Sequence, residues 1–290
     1  MTEQGNRSGI IFEIIVIDDG SAAEYKEQNA TISELVYYIE LDRNIGRSRI
    51  RNLFTGYANY EELLFLDCDS EIIKSDFLEQ YLLDINETGA PVICGGRIHT
   101  TENPVRNKRL RWRFGIERES LSANDRNKCP YRYFMTNNFV IDRKVLEDIR
   151  FDERIVNYGY EDTLFAYRLM KNGLAVIHTD NPVMHSFNET NDEFLEKTEQ
   201  SIGNLDNILA YIENDSEFID SIRILRVSDK LKKLGISGLF RLVFKIIRVP
   251  LRFLLKIGSE NLFLFDIYKL GLLKIRNKKK SSRYKTRKDL

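Results

Sequence analysis

Two aspartates separated by one residue, Asp67 and Asp69, directly follow a short apolar segment, 63–66. Because that segment is apolar enough to be a buried strand, the carboxylates would stand at its carboxyl end, where open α/β sheets bind ligands. Two carboxylates in this spacing can reach one hard cation, and substrate phosphate oxygens commonly complete such a site. The pattern indicates a metal-held nucleotide diphosphate. The alternative is an acidic loop that caps the next helix.

The elements around these aspartates alternate between strand-like and helix-like segments. The predicted strands are 10–17, 36–41, 63–66, 92–98, 136–141 and 174–178. The predicted helices are 47–58, 75–85 with Ser75 as its cap, a short helix that Asp142 caps and that ends at Ile149, and 161–171. This alternation predicts an α/β fold with a mostly parallel sheet and helices on both faces. Beyond Glu193 the pattern predicts helices only.

Polar residues occupy similar positions in two other segments. Asp18 and Asp19 follow the first predicted strand, and Gly20 permits a tight turn close to a ligand. Asn44 and Gly46 precede a helix whose amino terminus would face the strand ends and favour an anion. The alternative for the first segment is an ordinary Asp-Gly turn.

Taken in order, the motifs resemble a family 2-type glycosyltransferase with the GT-A fold. They are Ile15–Ser21, Asn44–Gly46 with Arg51 and Asn52, Asp67–Asp69, Gly159–Asp162, and Met184 with His185. The stretch from Asn137 to Arg168 also resembles the carboxyl-terminal part of galactosyltransferase-like catalytic domains. The resemblance covers roughly residues 10–190, and it implies a GT-A catalytic domain over 1–190 followed by a helical extension over 191–290.

The resemblance implies which residues hold the nucleotide of a UDP-sugar donor. Asp19 would accept hydrogen bonds from the uracil or the ribose, and Asp18 would share this role or order the loop. Arg51 would orient the metal-binding loop or the nucleotide, beside Asn44 and Gly46. The alternative for the neighbouring Arg47 and Arg49 is surface solubility.

The resemblance also implies a metal site. Asp69 would be the direct ligand, Asp67 would contact the ribose or support the ligand, and His185 would complete the site. A carboxylate, an imidazole and diphosphate oxygens suit Mn²⁺ better than Mg²⁺. The alternative for His185 is an ordinary surface or core histidine.

Asp162 is the predicted catalytic base. Transfer with inversion needs a carboxylate that takes the proton of the acceptor hydroxyl. Glu161 would bind acceptor hydroxyls or cap the helix. The alternative is that both are first-turn acids that complement the helix dipole.

The resemblance implies a metal-dependent, inverting hexosyltransferase that uses a UDP-sugar donor and a glycan or lipid-linked glycan acceptor in surface or capsular polysaccharide synthesis. Family members normally open with one more strand and helix before the Asp-Asp-Gly-Ser strand, so a gap in the sheet is expected here. That gap favours the alternative of a truncated or degenerate, non-catalytic membrane-associated module. A nucleotidyltransferase is less favoured, because no glycine-rich phosphate loop stands near the start.

The net charge of zero hides an asymmetry between the two ends of the chain. From Lys230 onward there are 18 lysines and arginines against three acidic residues, so a body of about −15 carries a tail of about +15. Five cations recur at helical spacing among apolar residues: Arg241, Lys245, Arg248, Arg252 and Lys256. This pattern predicts an interfacial membrane helix, kinked or split at Pro250, with a second basic cluster at 276–280. The alternative is a packed helical subdomain; nucleic-acid binding is not expected, since no binding module accompanies the charge.

The cysteines and the first residues favour a cytoplasmic protein, and family analogy together with the basic tail implies that it lies peripherally on the inner membrane face. Three cysteines without metal or pairing patterns fit a reducing compartment. The first residues lack the apolar core of a signal peptide, and no run of about 18 uncharged apolar residues occurs.

Overall fold

The computed structural model describes residues 1–185, 189–212 and 215–286. The chain divides into two compact units. The first unit comprises residues 1–98, 121–156 and 161–185, and the second, here called the helical unit, comprises 99–120, 157–160 and 186–290.

The first unit alternates strands and helices, as the sequence predicts. Its elements are α1 (Thr2–Ser8), β1 (Ile15–Asp18), α2 (Ala23–Ala30), β2 (Tyr37–Glu40), α3 (Arg47–Tyr57), β3 (Glu62–Leu66), β4 (Ser70–Ile72), α4 (Phe77–Thr88), β5 (Val92–Cys94), β6 (Arg97–His99), α6 (Ala123–Asn127), β7 (Asn138–Asp142), α7 (Arg143–Ile149), α8 (Glu161–Lys171), β8 (Val176–His178) and β9 (Val183–His185). A 3₁₀ turn covers Pro130–Arg132.

The largest sheet is mixed and runs in the order β3-β7-β5-β8. Strand β7 lies antiparallel between β3 and β5, whereas β5 and β8 are parallel. The predicted α/β class is confirmed, but the sheet is not mostly parallel, since β7 reverses direction in its middle. A smaller sheet has the order β4-β9-β6, with β4 and β9 antiparallel.

Strands β1 and β2 form a separate parallel pair. Among the described residues, β1 pairs only with β2, and β3 pairs only with β7. The first predicted strand, 10–17, is wrong at its start, since the ladder begins only where Ile15 meets Tyr37.

Two cores cover the faces of the four-stranded sheet. Phe65 and Phe139 stack with ring centroids 4.9 Å apart on one face, beside Phe151 and Phe165 at 4.0 Å. Ile93 and Val140 face the other way, toward α4, with Phe77 and Tyr81 among their neighbours. The alternation of side chains along β5 and β7 therefore fills both faces.

Several predicted boundaries are confirmed and others are wrong. Helices α3 and α8 begin at the predicted residues, and the Asp142 side chain caps α7 by accepting from Lys144 and Val145. The predicted strand 92–98 is interrupted, because Gly96 turns with φ of 82° between β5 and β6. Helix α4 begins after Asp76, so the predicted cap at Ser75 is wrong.

The helical unit contains short helices before five consecutive ones. These are a 3₁₀ turn (Arg106–Lys108), α5 (Arg109–Phe114), a π-helical turn (Gly115–Glu119), α9 (Asn191–Tyr211), α10 (Ser216–Ser221), α11 (Arg223–Lys233), α12 (Ser237–Lys256) and α13 (Leu262–Thr286). Thr190 and Glu193 form a capping box at the start of α9.

Helix α12 continues through Pro250, so the predicted split is wrong. Within the described residues, no helix is both long enough and apolar enough to span a membrane.

Candidate active site

The site begins at the loop after β1, where two adjacent aspartates have different surroundings. Asp18 is buried and accepts hydrogen bonds from Ser21 N (2.7 Å), Asn29 Nδ2 (3.2 Å) and Tyr38 Oη (2.9 Å). Despite the burial, these bonds lower the pKa of Asp18 to about 2. Its contacts are therefore with the protein, which fits the loop-ordering alternative.

Asp19 joins this loop to the start of α3. Its carboxylate accepts from the backbone N–H of Ile45 at 2.7 Å and of Gly46 at 3.2 Å. The two loops pack so closely that a Cβ on Gly20 would meet the Arg43 carbonyl carbon at 2.4 Å. Gly20 and Gly46 also have positive φ angles of 76° and 87°, which suit glycine. Asp19 thus lies where its remaining lone pairs could accept from a nucleoside.

Arg51 of α3 connects the loop after β3 to the start of α8. Its Nη2 lies 3.7 Å from Asp67 Oδ1, and its Nη1 lies 3.8 Å from Glu161 Oε1. The Arg51 side chain is 9% exposed and that of Glu161 is 6% exposed. Burial lowers the pKa of Arg51, while Asp67 and Glu161 oppose that shift, and an arginine remains charged in any case.

Asp69 and His185 face each other across the β4–β9 pair. His185 Nδ1 lies 3.6 Å from Asp69 Oδ1, and residue 185 stands opposite Ser70 in the ladder. The contact with His185 lowers the pKa of Asp69. Among the described residues there is no cluster of three or more metal-binding side chains. Two side chains at this distance fit a cation whose other ligands come from a substrate diphosphate.

Glu161 and Asp162 open α8 and differ in their partners. Glu161 faces Arg47 at 3.6 Å as well as Arg51, whereas the Asp162 carboxylate accepts from Thr163 N at 2.6 Å. Burial and the charge of Glu161 raise the pKa of Asp162 to about 6. Tyr160, the residue before the pair, has φ of 66°, an uncommon conformation that is often retained at functional sites.

The predicted residues therefore fall into three contacting groups, Asp19 with Gly46, Arg51 with Asp67 and Glu161, and Asp69 with His185. Asp162 is adjacent to the second group and Asp18 belongs to its own loop. Asn44 lies in the loop that Asp19 holds, between Arg43 and Ile45.

Sequence reasoning did not assign roles to two buried asparagines near this site. Asn52 donates to Phe151 O at 3.0 Å and accepts from Phe151 N at 2.9 Å, so it fixes the backbone after α7. Asn137 accepts a hydrogen bond from Asp67 N through its backbone carbonyl, at 3.1 Å. The sequence signals were the position of Asn52 next to Arg51 and the position of Asn137 at the start of the galactosyltransferase-like stretch.

The family comparison matches more than half of the chain. Residues 3–150 match the model described as "Glycosyl transferase family 2". The chain belongs to this family. The predicted GT-A fold class is thereby confirmed, with a helical region following the α/β unit.

This family 2 chain is also similar to individual proteins. It is 27% identical over 195 residues to the chondroitin synthase of Escherichia coli, an alignment that covers 56% of this chain and 28% of that protein. The alignment thus covers less than a third of that relative's length.

Among solved structures, S. aureus TarS 1-349 in complex with UDP matches with 16% identity and a TM-score of 0.48, covering 94% of this chain and 82% of that one. The mannosyltransferase PcManGT from Pyrobaculum calidifontis, in complex with GDP-Man and Mn²⁺, matches with 13% identity and a TM-score of 0.46. The match covers 68% of this chain and 55% of that one.

The family match divides the site residues in two. The predicted site residues from Asp18 to Asp69 lie inside the matched range, whereas Glu161, Asp162 and His185 lie beyond it. The two groups meet in the structure at Arg51, whose partners are Asp67 and Glu161.

Substituting Arg51→Met should lower the free energy of unfolding by about 3 kcal/mol or more, because it leaves Glu161 buried without its closest buried cation. Urea denaturation followed by circular dichroism measures the change. Arg49→Met is the matched control, since Arg49 is 51% exposed and pairs with an exposed Glu153. It should change stability by less than about 1 kcal/mol. Equal effects of the two substitutions would contradict a structural role for the buried pair.

Proposed function

We propose that this chain transfers a hexose from a UDP-sugar to an acceptor hydroxyl with inversion at the anomeric carbon. The observation that supports this most is the contact of buried Arg51 with both Asp67 and Glu161. It ties a loop suited to the donor to the helix that carries a carboxylate of raised pKa. Such a carboxylate is suited to general-base work near neutral pH.

In the proposed reaction, Asp162 accepts the proton of the acceptor hydroxyl. The acceptor oxygen forms a bond to the anomeric carbon from the face opposite the leaving group, the bond between that carbon and the diphosphate oxygen breaks, and UDP departs with the electron pair. Asp162 then returns its proton to solvent. Arg51 and Arg47 hold Glu161 next to this base, which keeps a second carboxylate charged beside it and favours proton uptake by Asp162.

Asp69 and His185 would hold a divalent cation, Mn²⁺ or Mg²⁺, that neutralises charge on the departing diphosphate. The imidazole favours Mn²⁺ of the two. Asp19 and the Asn44–Gly46 loop would take the nucleoside, and Glu161, which the resemblance places at the acceptor, would act through its ion pairs with the arginines.

The similarity to a chondroitin synthase supports a role in surface or capsular polysaccharide synthesis, with a glycan or lipid-linked glycan as acceptor. The first acceptors to test are therefore chondroitin oligosaccharides.

Asp162→Asn should abolish transfer and leave UDP binding nearly unchanged, because it removes the base without altering side-chain size. The measurement is UDP release from UDP-glucose, UDP-galactose, UDP-glucuronate and the two UDP-N-acetylhexosamines with oligosaccharide acceptors. In the unaltered protein the rate should fall as the pH drops below about 6, since protonated Asp162 accepts no proton. The exposed Asp148→Asn serves as control. Loss of UDP binding in Asp162→Asn would instead place Asp162 at the nucleotide.

We further propose that α12 holds the enzyme peripherally on the cytoplasmic face of the inner membrane. Apolar side chains at helical spacing are exposed along one face of this helix: Leu239 (64%), Leu242 (59%), Ile246 (73%), Val249 (74%) and Phe253 (62%). Its buried residues Phe244, Leu251 and Leu255 lie on a different face, and α12 packs against α9 and α13. The helix therefore has both the packed side of a subdomain and an exposed apolar side suited to a lipid interface.

The cationic stripe of α12 is only partly available to lipid. Arg252 binds Asp192 and Glu199 at 2.9 Å, and Lys256 binds Asp192 at 2.6 Å, so these two cations stabilise the helical unit. Arg241, Lys245 and Arg248 make no ion pair with any described residue. The side chains of Lys278, Lys279 and Lys280, in the predicted second basic cluster, lie outside the described part of the chain.

Replacing Arg241, Lys245 and Arg248 by Gln should weaken binding to phosphatidylglycerol-containing vesicles on the order of 100-fold, since each cation near an anionic surface contributes about 1 kcal/mol. Co-sedimentation measures the binding. The control carries Lys128→Gln, Lys144→Gln and Lys171→Gln, which remove the same charge from exposed positions of the first unit. Equal weakening by both variants would show that net charge alone attracts the protein, and unchanged binding would contradict the role of α12.

A further inference from the structure

Asn137 is a buried side chain whose hydrogen-bonding groups are all unmet. Its side chain is 3% exposed, and neither Nδ2 nor Oδ1 has a hydrogen-bond partner among the described residues. Buried polar atoms without partners are rare in folded proteins, because each one costs free energy. A buried amide whose nitrogen and oxygen both lack a hydrogen-bond partner therefore needs an explanation.

The neighbouring Asn138 shows what a structural asparagine looks like in this fold. Its Nδ2 donates to Gly96 O and to Asn181 O, both at 2.9 Å, and its Oδ1 accepts from Tyr81 Oη at 2.6 Å. Asn138 thus joins three segments of the first unit. Asn137 performs no comparable task with its side chain, although both residues are buried to the same degree.

The backbone places Asn137 beside the loop that carries Asp67 and Asp69. Asp67 N donates to Asn137 O at 3.1 Å, which extends the β3–β7 ladder one pair beyond Leu66 and Asn138. Residues that are directly opposite in an antiparallel ladder project to the same face, with Cβ atoms about 5 Å apart. By this rule we expect the Asn137 side chain on the face of Asp67, which contacts Arg51. Asn138 projects to the other face.

The chemistry of the amide restricts the ligand that would satisfy it. Nδ2 only donates and Oδ1 only accepts, so a phosphate would leave Oδ1 unmet and a cation would leave Nδ2 unmet. A sugar hydroxyl both donates and accepts, and a pair of neighbouring hydroxyls can satisfy both amide atoms. No hydrogen bond to a described residue fixes the present rotamer of this amide.

We propose that Asn137 binds hydroxyl groups of the sugar that is transferred, and so determines which UDP-sugar this chain accepts. This inference rests on the proposed function, since it assumes a nucleotide-sugar donor beside Asp67. It assigns to Asn137 a role in sugar selection that is separate from nucleotide binding by Asp19 and from the base Asp162.

The test compares UDP with UDP-sugars by calorimetry in the presence of Mn²⁺, using the unaltered chain and Asn137→Leu, a substitution of similar size. The probes are UDP and the five UDP-sugars named above. Asn137→Leu should leave the affinity for UDP within about twofold and weaken the best-bound UDP-sugar by about 10- to 100-fold. Equal weakening of UDP and UDP-sugar would place Asn137 at the nucleotide and overturn the inference. If the unaltered chain binds UDP but Asn137→Leu changes nothing, the inference fails and the proposed function stands. If the unaltered chain binds no nucleotide, both fail.

Thermal unfolding of the ligand-free variants gives a readout that a merely structural role would not produce. Asn137→Leu removes two unmet polar atoms from the interior and should raise the midpoint by about 2–4 °C. Asn138→Leu, the matched control, should lower it, because three partner groups lose their hydrogen bonds. A comparable loss of stability in both variants would make Asn137 a structural residue and would contradict the inference.

Discussion

The buried guanidinium of Arg51 is the interaction on which the proposed site depends. It contacts Asp67 at the end of β3 and Glu161 at the start of α8, two positions almost a hundred residues apart in the chain. A buried ion pair adds little net stability, but breaking it is costly, so such a pair enforces one arrangement of its elements. The arrangement that Arg51 enforces brings a loop suited to a nucleotide diphosphate next to the proposed base.

The electrostatics of Asp162 follow from this arrangement. Arg51 and Arg47 hold the negatively charged Glu161 next to Asp162. Burial of Asp162 and this neighbouring charge together raise the pKa of Asp162 to about 6. Asp18 has the opposite environment, since three hydrogen bonds stabilise its charged form. The surroundings of these two aspartates of the same unit thus shift their pKa values in opposite directions, which suits Asp18 to a structural role and Asp162 to the proposed role of base.

The sequence predicted those features of the fold that depend only on residues close together in the chain. The bounds of α3 and α8 and the Asp142 cap depend on neighbouring residues, and they were predicted correctly. The length of β1 depends on where β2 can pair, and the use of Arg252 and Lys256 by Asp192 depends on how α9 and α12 pack. No spacing rule reveals such contacts. The unmet amide of Asn137 is likewise visible only once its neighbour Asn138 is seen to be saturated.

We propose that the carboxylates after β1 and β3 form a metal-dependent site for a uridine nucleotide, although β1 and β3 lack a common strand among the described residues. The decisive experiment is a calorimetric titration of UDP into the purified chain, with and without Mn²⁺ and with Asp69→Ala in parallel. We expect binding that requires Mn²⁺ and is lost in Asp69→Ala. A well-folded chain that binds no UDP, or binds it equally without Mn²⁺ and without Asp69, would contradict the account and favour a non-catalytic module.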